Sequence, residues 1–339
     1  MKRCGFTHSA TAVTAAYNIV LSWETLAVSL QNRLSTVYKR LFWFVFYEGL
    51  KKGQEIVMKS LKPRLLTAVI GIPAVIIIML LSELWPPLLR IIVGLASVLM
   101  VGEYLSAKGL IGCSPLTAVC MLYTMLMPLV IINSPLAYMV TYLFLLAGFV
   151  VSLIYYRKLH FFNLAYAMFG TLLITFGMSA VSIACTTNGV SVSFFFVLIF
   201  LLPWMADGGG YFVGSYLGHR KLCPNISPKK TVEGVLGGAV FCVASAMIMG
   251  LIFQFAVFRG DENIHVNFAA LVVLAILDSV VSLIGDLSFS LIKRVCKIKD
   301  YGSIFPGHGG MLDRCDSIIF TAPLVVALGQ IMPFLHILV

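Results

Sequence analysis

Charge is scarce in this 339-residue chain: Asp, Glu, Lys and Arg make up only 11% of it, where a soluble domain carries about 25%. That shortage excludes an ordinary water-soluble globule. With 60% hydrophobic residues and a mean hydropathy of +0.99, the composition is that of an integral membrane protein. The apolar segments are long and uninterrupted, which predicts an all-α, polytopic helical bundle and not a β-barrel. The eight cysteines (Cys4, Cys113, Cys120, Cys185, Cys223, Cys242, Cys296 and Cys315) form no C-x-x-C pair and no zinc spacing. They read as small core residues. No Walker A loop occurs, and no clean signal-peptide pattern. The formal charge of +10 requires no nucleic acid, because basic cytoplasmic loops and anionic lipid headgroups account for it.

Residues 1–57 differ from the rest. They mix Ser, Thr and basic residues around one aromatic run, Leu41 to Tyr47, too short to cross a bilayer. Two readings are open: an interfacial helix flanked by Lys39, Arg40, Lys51 and Lys52, or a natural start at Met58. Residues 58–339 form the membrane-embedded domain. Nine candidate spans follow Leu65, at about 65–84, 88–106, 115–133, 136–156, 162–185, 193–217, 235–258, 266–288 and 317–337. Their basic connections fall on one side, at Lys59–Arg64, Lys108, Arg157–Lys158, Arg220–Lys230 and Lys293–Arg314, which predicts that side to be cytoplasmic.

The informative stretch runs from Ser290 to Ser317. Between Lys293 and Asp316 it holds eight charges: Lys293, Arg294, Lys297, Lys299, Asp300, Asp313, Arg314 and Asp316. Four cations precede Pro306-Gly-His-Gly-Gly310, a backbone able to bend sharply and present N–H groups. Asp313 and Asp316 share a helix face and suit a Mg²⁺ ion holding phosphate oxygens. A solvated basic loop would explain the lysines but not the Asp pair with the His-Gly-Gly turn. Upstream, Ser227-Pro-Lys-Lys-Thr231 places two ammonium groups, Lys229 and Lys230, and two hydroxyls before a helix. That is either an anion site or a positive-inside anchor. Asp207 and Asp286 are carboxylates in apolar spans and functional candidates. Asp278 is either a third such residue or a polar packing contact. Glu103 is either an interfacial carboxylate or a buried partner for a lysine. Gly210, Gly214 and Gly218 recur every four residues, as a close-packing helix face does.

Taken together, Ser290-x-Ile-Lys-Arg, Lys299-Asp300, Phe305-Pro-x-His308-Gly-Gly-Met and Asp313-Arg314-x-Asp316 resemble the signature of the phosphatidate cytidylyltransferases. Ser227-Pro-Lys-Lys-Thr231, Asp207 with Tyr211 and Gly214, and Gly285-Asp286-Leu287 are similar to that family's other blocks. The resemblance covers about residues 60–339. It implies transfer of the cytidylyl group of CTP to phosphatidate, giving CDP-diacylglycerol and pyrophosphate in phospholipid biosynthesis. It also implies Mg²⁺ with room for a second cation, membrane lipid around the chain, and a homodimer. The expected setting is a multi-pass protein of the bacterial inner-membrane type with its site facing the cytoplasm. Expected metal ligands are Asp286, Asp313 and Asp316, then Asp207. Expected phosphate binders are Lys293, Arg294, Lys299 and Arg314, with Ser227, Lys229, Lys230, Thr231, Gly309 and Gly310. His308, Gly309 and Gly310 would shape the nucleotide site, and Ser290 would orient a phosphate or a metal-bound water. Three positions depart from the pattern: Gly208 replaces Ser or Thr (with Gly210 replacing Ala nearby), Cys315 replaces an aliphatic residue or Thr, and Phe289 replaces a Glu. The last removes a carboxylate expected beside the metal. The rivals are a CTP-dependent polyprenol kinase and an ion-coupled transporter.

Overall fold

The computed structural model describes residues 76–112, 114–187, 191–259, 264–304 and 309–337. The N-terminal extension, the first part of the first candidate span, and His308 lie outside the described residues. Residues 76–84 are helical. The helices that follow are α1 (Pro86–Ala107), α2 (Ser114–Val130), α3 (Ser134–Ile154), α4 (Phe161–Thr187), α5 (Val192–Leu217), α6 (Val232–Ile252), α7 (Phe268–Val295), α8 (Leu312–Cys315) and α9 (Ile318–Ile331). Seven helices among the described residues are long and apolar enough to cross a membrane, counting α8 and α9 as one span from Leu312 to Ile331. Helix α2 is apolar but shorter. The chain is a polytopic helical membrane protein.

Local chemistry sets the helix starts. Asn133, Ser191, Thr231 and Asn267 each accept a backbone N–H three residues on, from Leu136, Phe194, Gly234 and Ala270. Each satisfies one of the orphan donors of a first turn. Helix α4 is the central element, 72% buried over its apolar window, while α3 is only 22% buried. The outer face of α3 presents Tyr138, Tyr142, Phe149 and Leu153, a surface suited to lipid.

Helices α5 and α6 pack along a glycine seam. A Cβ on Gly234 would lie 2.7 Å from the Gly210 carbonyl oxygen, and one on Gly214 would lie 2.7 Å from Thr231 Oγ1. The packing reading of the Gly210–Gly214–Gly218 repeat therefore holds, since close backbone approach needs the missing side chains.

Three boundaries differ from the sequence expectation. Helix α7 continues past residue 288 to Val295, so Ser290, Lys293 and Arg294 stand on a helix. It closes at Lys297, whose φ of 58° is left-handed, with Ile298 N donating to the Lys293 carbonyl at 3.0 Å. The last span starts earlier than residue 317 and stops at Ile331, because Pro333 follows and cannot continue a helix. Residues Leu335–Ile337 (β4) instead pair antiparallel with Ile264–Val266 (β3). The loop between α5 and α6 is a hairpin, Lys221–Cys223 (β1) against Ser227–Thr231 (β2). It is tied down by Glu233, whose carboxylate accepts the backbone N–H groups of His219 and Arg220.

Candidate active site

Four distant segments meet at one cavity of about 360 Å³. Helix α5 supplies Asp207, β2 supplies Ser227, Lys229, Lys230 and Thr231, α7 supplies Asp286 and Lys293, and α8 with the turn after it supplies Asp313, Arg314 and Asp316. Asp300 lines it as well. Five carboxylates thus face four cationic side chains around one space.

A chain of polar contacts links the wall. Lys230 Nζ lies 2.6 Å from Asp286 Oδ2 and 3.5 Å from Asp207 Oδ1. Burial alone would lower the Lys230 pKa, but Asp286 and Asp207 outweigh it and raise it above the ordinary lysine value. Ser317 Oγ donates to Asp207 Oδ2 at 3.4 Å and stands 3.5 Å from Asp316 Oδ1. Asp316 Oδ1 also accepts the Ser317 backbone N–H at 2.8 Å. One helical turn beyond Asp286, Ser290 Oγ donates to Asp286 Oδ1 at 3.5 Å. Ser290 is buried and orients a carboxylate without reaching the cavity wall.

Asp313 is held differently. Its Oδ1 accepts from Lys293 Nζ at 2.8 Å, and its Oδ2 accepts the backbone N–H groups of Tyr301 and Gly310 at 2.8 and 3.0 Å. The carboxylate expected to bind metal is thus engaged in closing the loop between α7 and α8. Gly309 makes this possible: its φ is +88°, and a Cβ there would sit 2.9 Å from Asp313 Oδ2. The Gly310 N–H expected to meet a phosphate points to Asp313 instead. Neither Gly309 nor Gly310 lines the cavity.

The remaining candidates divide. Thr231 lines the cavity, but its hydroxyl oxygen caps α6, accepting from Gly234 N at 3.1 Å. Arg294 donates through Nε to the Ile226 carbonyl at 3.3 Å and ties α7 to the hairpin. Lys299 is exposed and, like Arg294, stands off the cavity wall. Asp278 is fully buried in the bundle, with Cys242 Sγ 3.9 Å from Oδ2, and it too stays off that wall. Its Oδ1 is buried without a hydrogen-bond partner among the described residues.

Phe289 stands where the family pattern has Glu. It is 0% exposed, edge-on to Tyr301 and Phe320, and does not line the cavity. The Tyr301 hydroxyl donates to the Phe289 carbonyl at 3.0 Å, and burial, the foremost cause, keeps that phenol's pKa raised. The Phe side chain thus fills an apolar niche behind the cavity.

Sequence spacing missed Ser317, which bridges two carboxylates, and it did not foresee that Glu103, which is buried, takes backbone N–H groups 208 and 209 positions away in place of a lysine. Ser317 lay beside the recognised Asp, but no periodicity could have joined Glu103 to that loop.

Asp207, Asp286 and Asp316 are the side chains best placed to hold a cation. Among the described residues no group of three or more Asp, Glu, His or Cys side chains stands close enough together to hold a metal ion by itself. The hard oxygen donors suit Mg²⁺, which retains waters and takes substrate phosphate oxygens in place of a full protein cage.

A phosphatidate cytidylyltransferase of Bacillus subtilis is 42% identical over 135 residues, covering 40% of this chain and 43% of that protein. One from Haemophilus influenzae is 39% identical over 130 residues, covering 38% and 43%. One from Brucella suis is 38% identical over 156 residues, covering 46% and 54%. The matched region thus spans about half the length of these relatives. The model of the cytidylyltransferase family matches residues 62–332, which contain every element around the cavity, and the chain belongs to that family.

Proposed function

We propose that this chain transfers the cytidylyl group of CTP to phosphatidate, releasing pyrophosphate and forming CDP-diacylglycerol. The observation that carries the reading is the convergence of Asp207, Lys230, Asp286 and Asp316, from three membrane-spanning segments and the strand before a fourth, on one cavity. The names of the matched relatives support the same reaction.

The chemistry fits the residues. A phosphatidate oxygen forms a bond to the α-phosphorus of CTP while the bond from that phosphorus to the pyrophosphate oxygen breaks. Both reactants are anions, so the site must suppress their repulsion. Lys229, Lys230, Lys293 and Arg314 line the cavity and bind phosphate oxygens by charge-assisted hydrogen bonds. The lipid phosphate is already an anion, so the reaction needs no strong base. Five carboxylates against four cations would repel two polyanionic substrates, and this imbalance calls for an added cation. A divalent ion held by Asp207, Asp286 and Asp316 would neutralise phosphate oxygens as negative charge develops on the leaving group. The positive-inside pattern of the basic connections supports a cavity mouth on the cytoplasmic side, where CTP is available.

The test uses purified protein in mixed lipid–detergent micelles with CTP labelled in the cytosine ring, phosphatidate and Mg²⁺. A labelled CDP-lipid with equimolar pyrophosphate is expected. Free CDP with no labelled lipid would overturn the reading and point to a kinase.

A further inference from the structure

We propose that Glu103, on α1, is a positioning residue for this site, acting through the backbone that leads into Asp313, Arg314 and Asp316. The inference rests on the reading of the cavity as the active site, and it adds an element outside the cavity wall.

Glu103 is only 8% exposed and sits in an apolar helix, an expensive place for a carboxylate unless its oxygens are satisfied. Both are. Oε1 accepts the Met311 N–H at 3.0 Å, and Oε2 accepts the Leu312 N–H at 2.8 Å. These are the first amides of the segment carrying Asp313, Arg314 and Asp316. The carboxylate also presses on both flanks of the preceding loop, since a Cβ added to Gly302 or to Gly310 would collide with Glu103 Oε1. Asp313 fastens the same loop from the other side, through Tyr301 N and Gly310 N. Two carboxylates from opposite ends of the sequence therefore clamp one turn of backbone. Asp313 is one of the cavity's own residues, but Glu103 touches nothing in the cavity and works only by fixing where that turn lies.

The residue type matters because a carboxylate offers acceptors only. A Gln of the same size would keep one oxygen and turn its NH₂ against the other backbone N–H. Asp would keep both acceptors on a stem one methylene shorter.

Hydrogen exchange and kinetics test this together. Exchange at residues 309–316 should speed up by about tenfold or more in Glu103→Gln, while peptides from α6 stay as in the native protein. Turnover should fall by about 100-fold with the KM for CTP within about threefold, the signature of misplaced rather than missing groups. Glu103→Asp should retain more turnover than Glu103→Gln. If Glu103→Gln does not fold, Gly302→Ala reaches the same contact from the loop side and should give the same signature. Its cost should shrink in a Glu103→Ala background, where the Cβ has room. Unchanged exchange at 309–316, equal loss in Asp and Gln, or a turnover loss matched by an equal loss of folded protein would each overturn the proposal. A native protein that makes no CDP-lipid would overturn the proposed reaction instead, and the exchange comparison would still decide whether Glu103 holds the turn.

Discussion

Lys230 Nζ stands 2.6 Å from Asp286 Oδ2, joining the strand before α6 to the middle of α7 across the cavity. Both side chains are about one-fifth exposed, so the pair is partly desolvated yet open to ligand. The ammonium pairs with both Asp286 and Asp207, and in the proposed reaction it would turn to a substrate phosphate.

Replacing Lys230 by Met should cut CDP-lipid formation by about 100-fold or more, because a charge directed at the phosphates is lost. The stability effect has a definite pH sign. The folded pKa of Lys230 is raised, so its contribution is complete below the ordinary lysine value of 10.5 and fades only as pH rises through the higher folded value. The gap in thermal midpoint between native and Lys230→Met proteins should be flat from about pH 7 to 10 and narrow above that. A gap that stayed constant above about pH 10 would mean that the Lys230 charge does not govern it.

Removing divalent cations should stop turnover, and Mg²⁺ should restore it. The carboxylates should then separate into two classes. Asp207→Asn, Asp286→Asn and Asp316→Asn should raise the Mg²⁺ concentration needed for half-maximal rate by about tenfold or more. Asp313→Asn should lower the rate at every Mg²⁺ concentration without that shift, and should cost about 1–3 kcal/mol of stability by weakening three hydrogen bonds. A Mg²⁺ titration on the four variants checks the division.

Phe289→Glu should not improve the enzyme. The phenyl ring is fully buried beside Tyr301 and Phe320, and a carboxylate there would lose its hydration among aromatic rings. Lower thermal stability with unchanged or reduced turnover is the expected result. Increased turnover would show that a glutamate at this position reaches the cavity.

Lys297→Gly should stabilise the protein by about 0.5–1 kcal/mol, because Lys297 closes α7 with a left-handed φ of 58° that costs a side-chain-bearing residue and costs glycine little. A rise of the thermal midpoint in detergent, with kinetics unchanged, checks it.

The sequence by itself determined the membrane bundle, because uninterrupted apolar runs leave the backbone no solution in lipid except the helix. It determined most helix starts to within a few residues, through caps such as Asn133 and Ser191. Asp207 and Asp286 stood out as charges in apolar runs, which are costly unless used, while Lys230 and Asp316 stood out through the Ser227–Thr231 block and the spacing from Asp313. Only the tertiary structure decided what each charge does. Asp313 and Asp316 look equivalent at a spacing of three, yet one holds a loop and the other faces the proposed cation site. Thr231 reads as a phosphate hydroxyl and serves as a helix cap. Glu103 reads as an interfacial carboxylate or a lysine's buried partner, yet it accepts backbone N–H groups of the turn beside Asp313, 208 residues away at Met311. Each outcome depends on which backbone amides the folded chain brings within about 3 Å of a carboxylate. Hydrogen bonds act over that distance alone, and no pattern along the chain records which distant segments will meet.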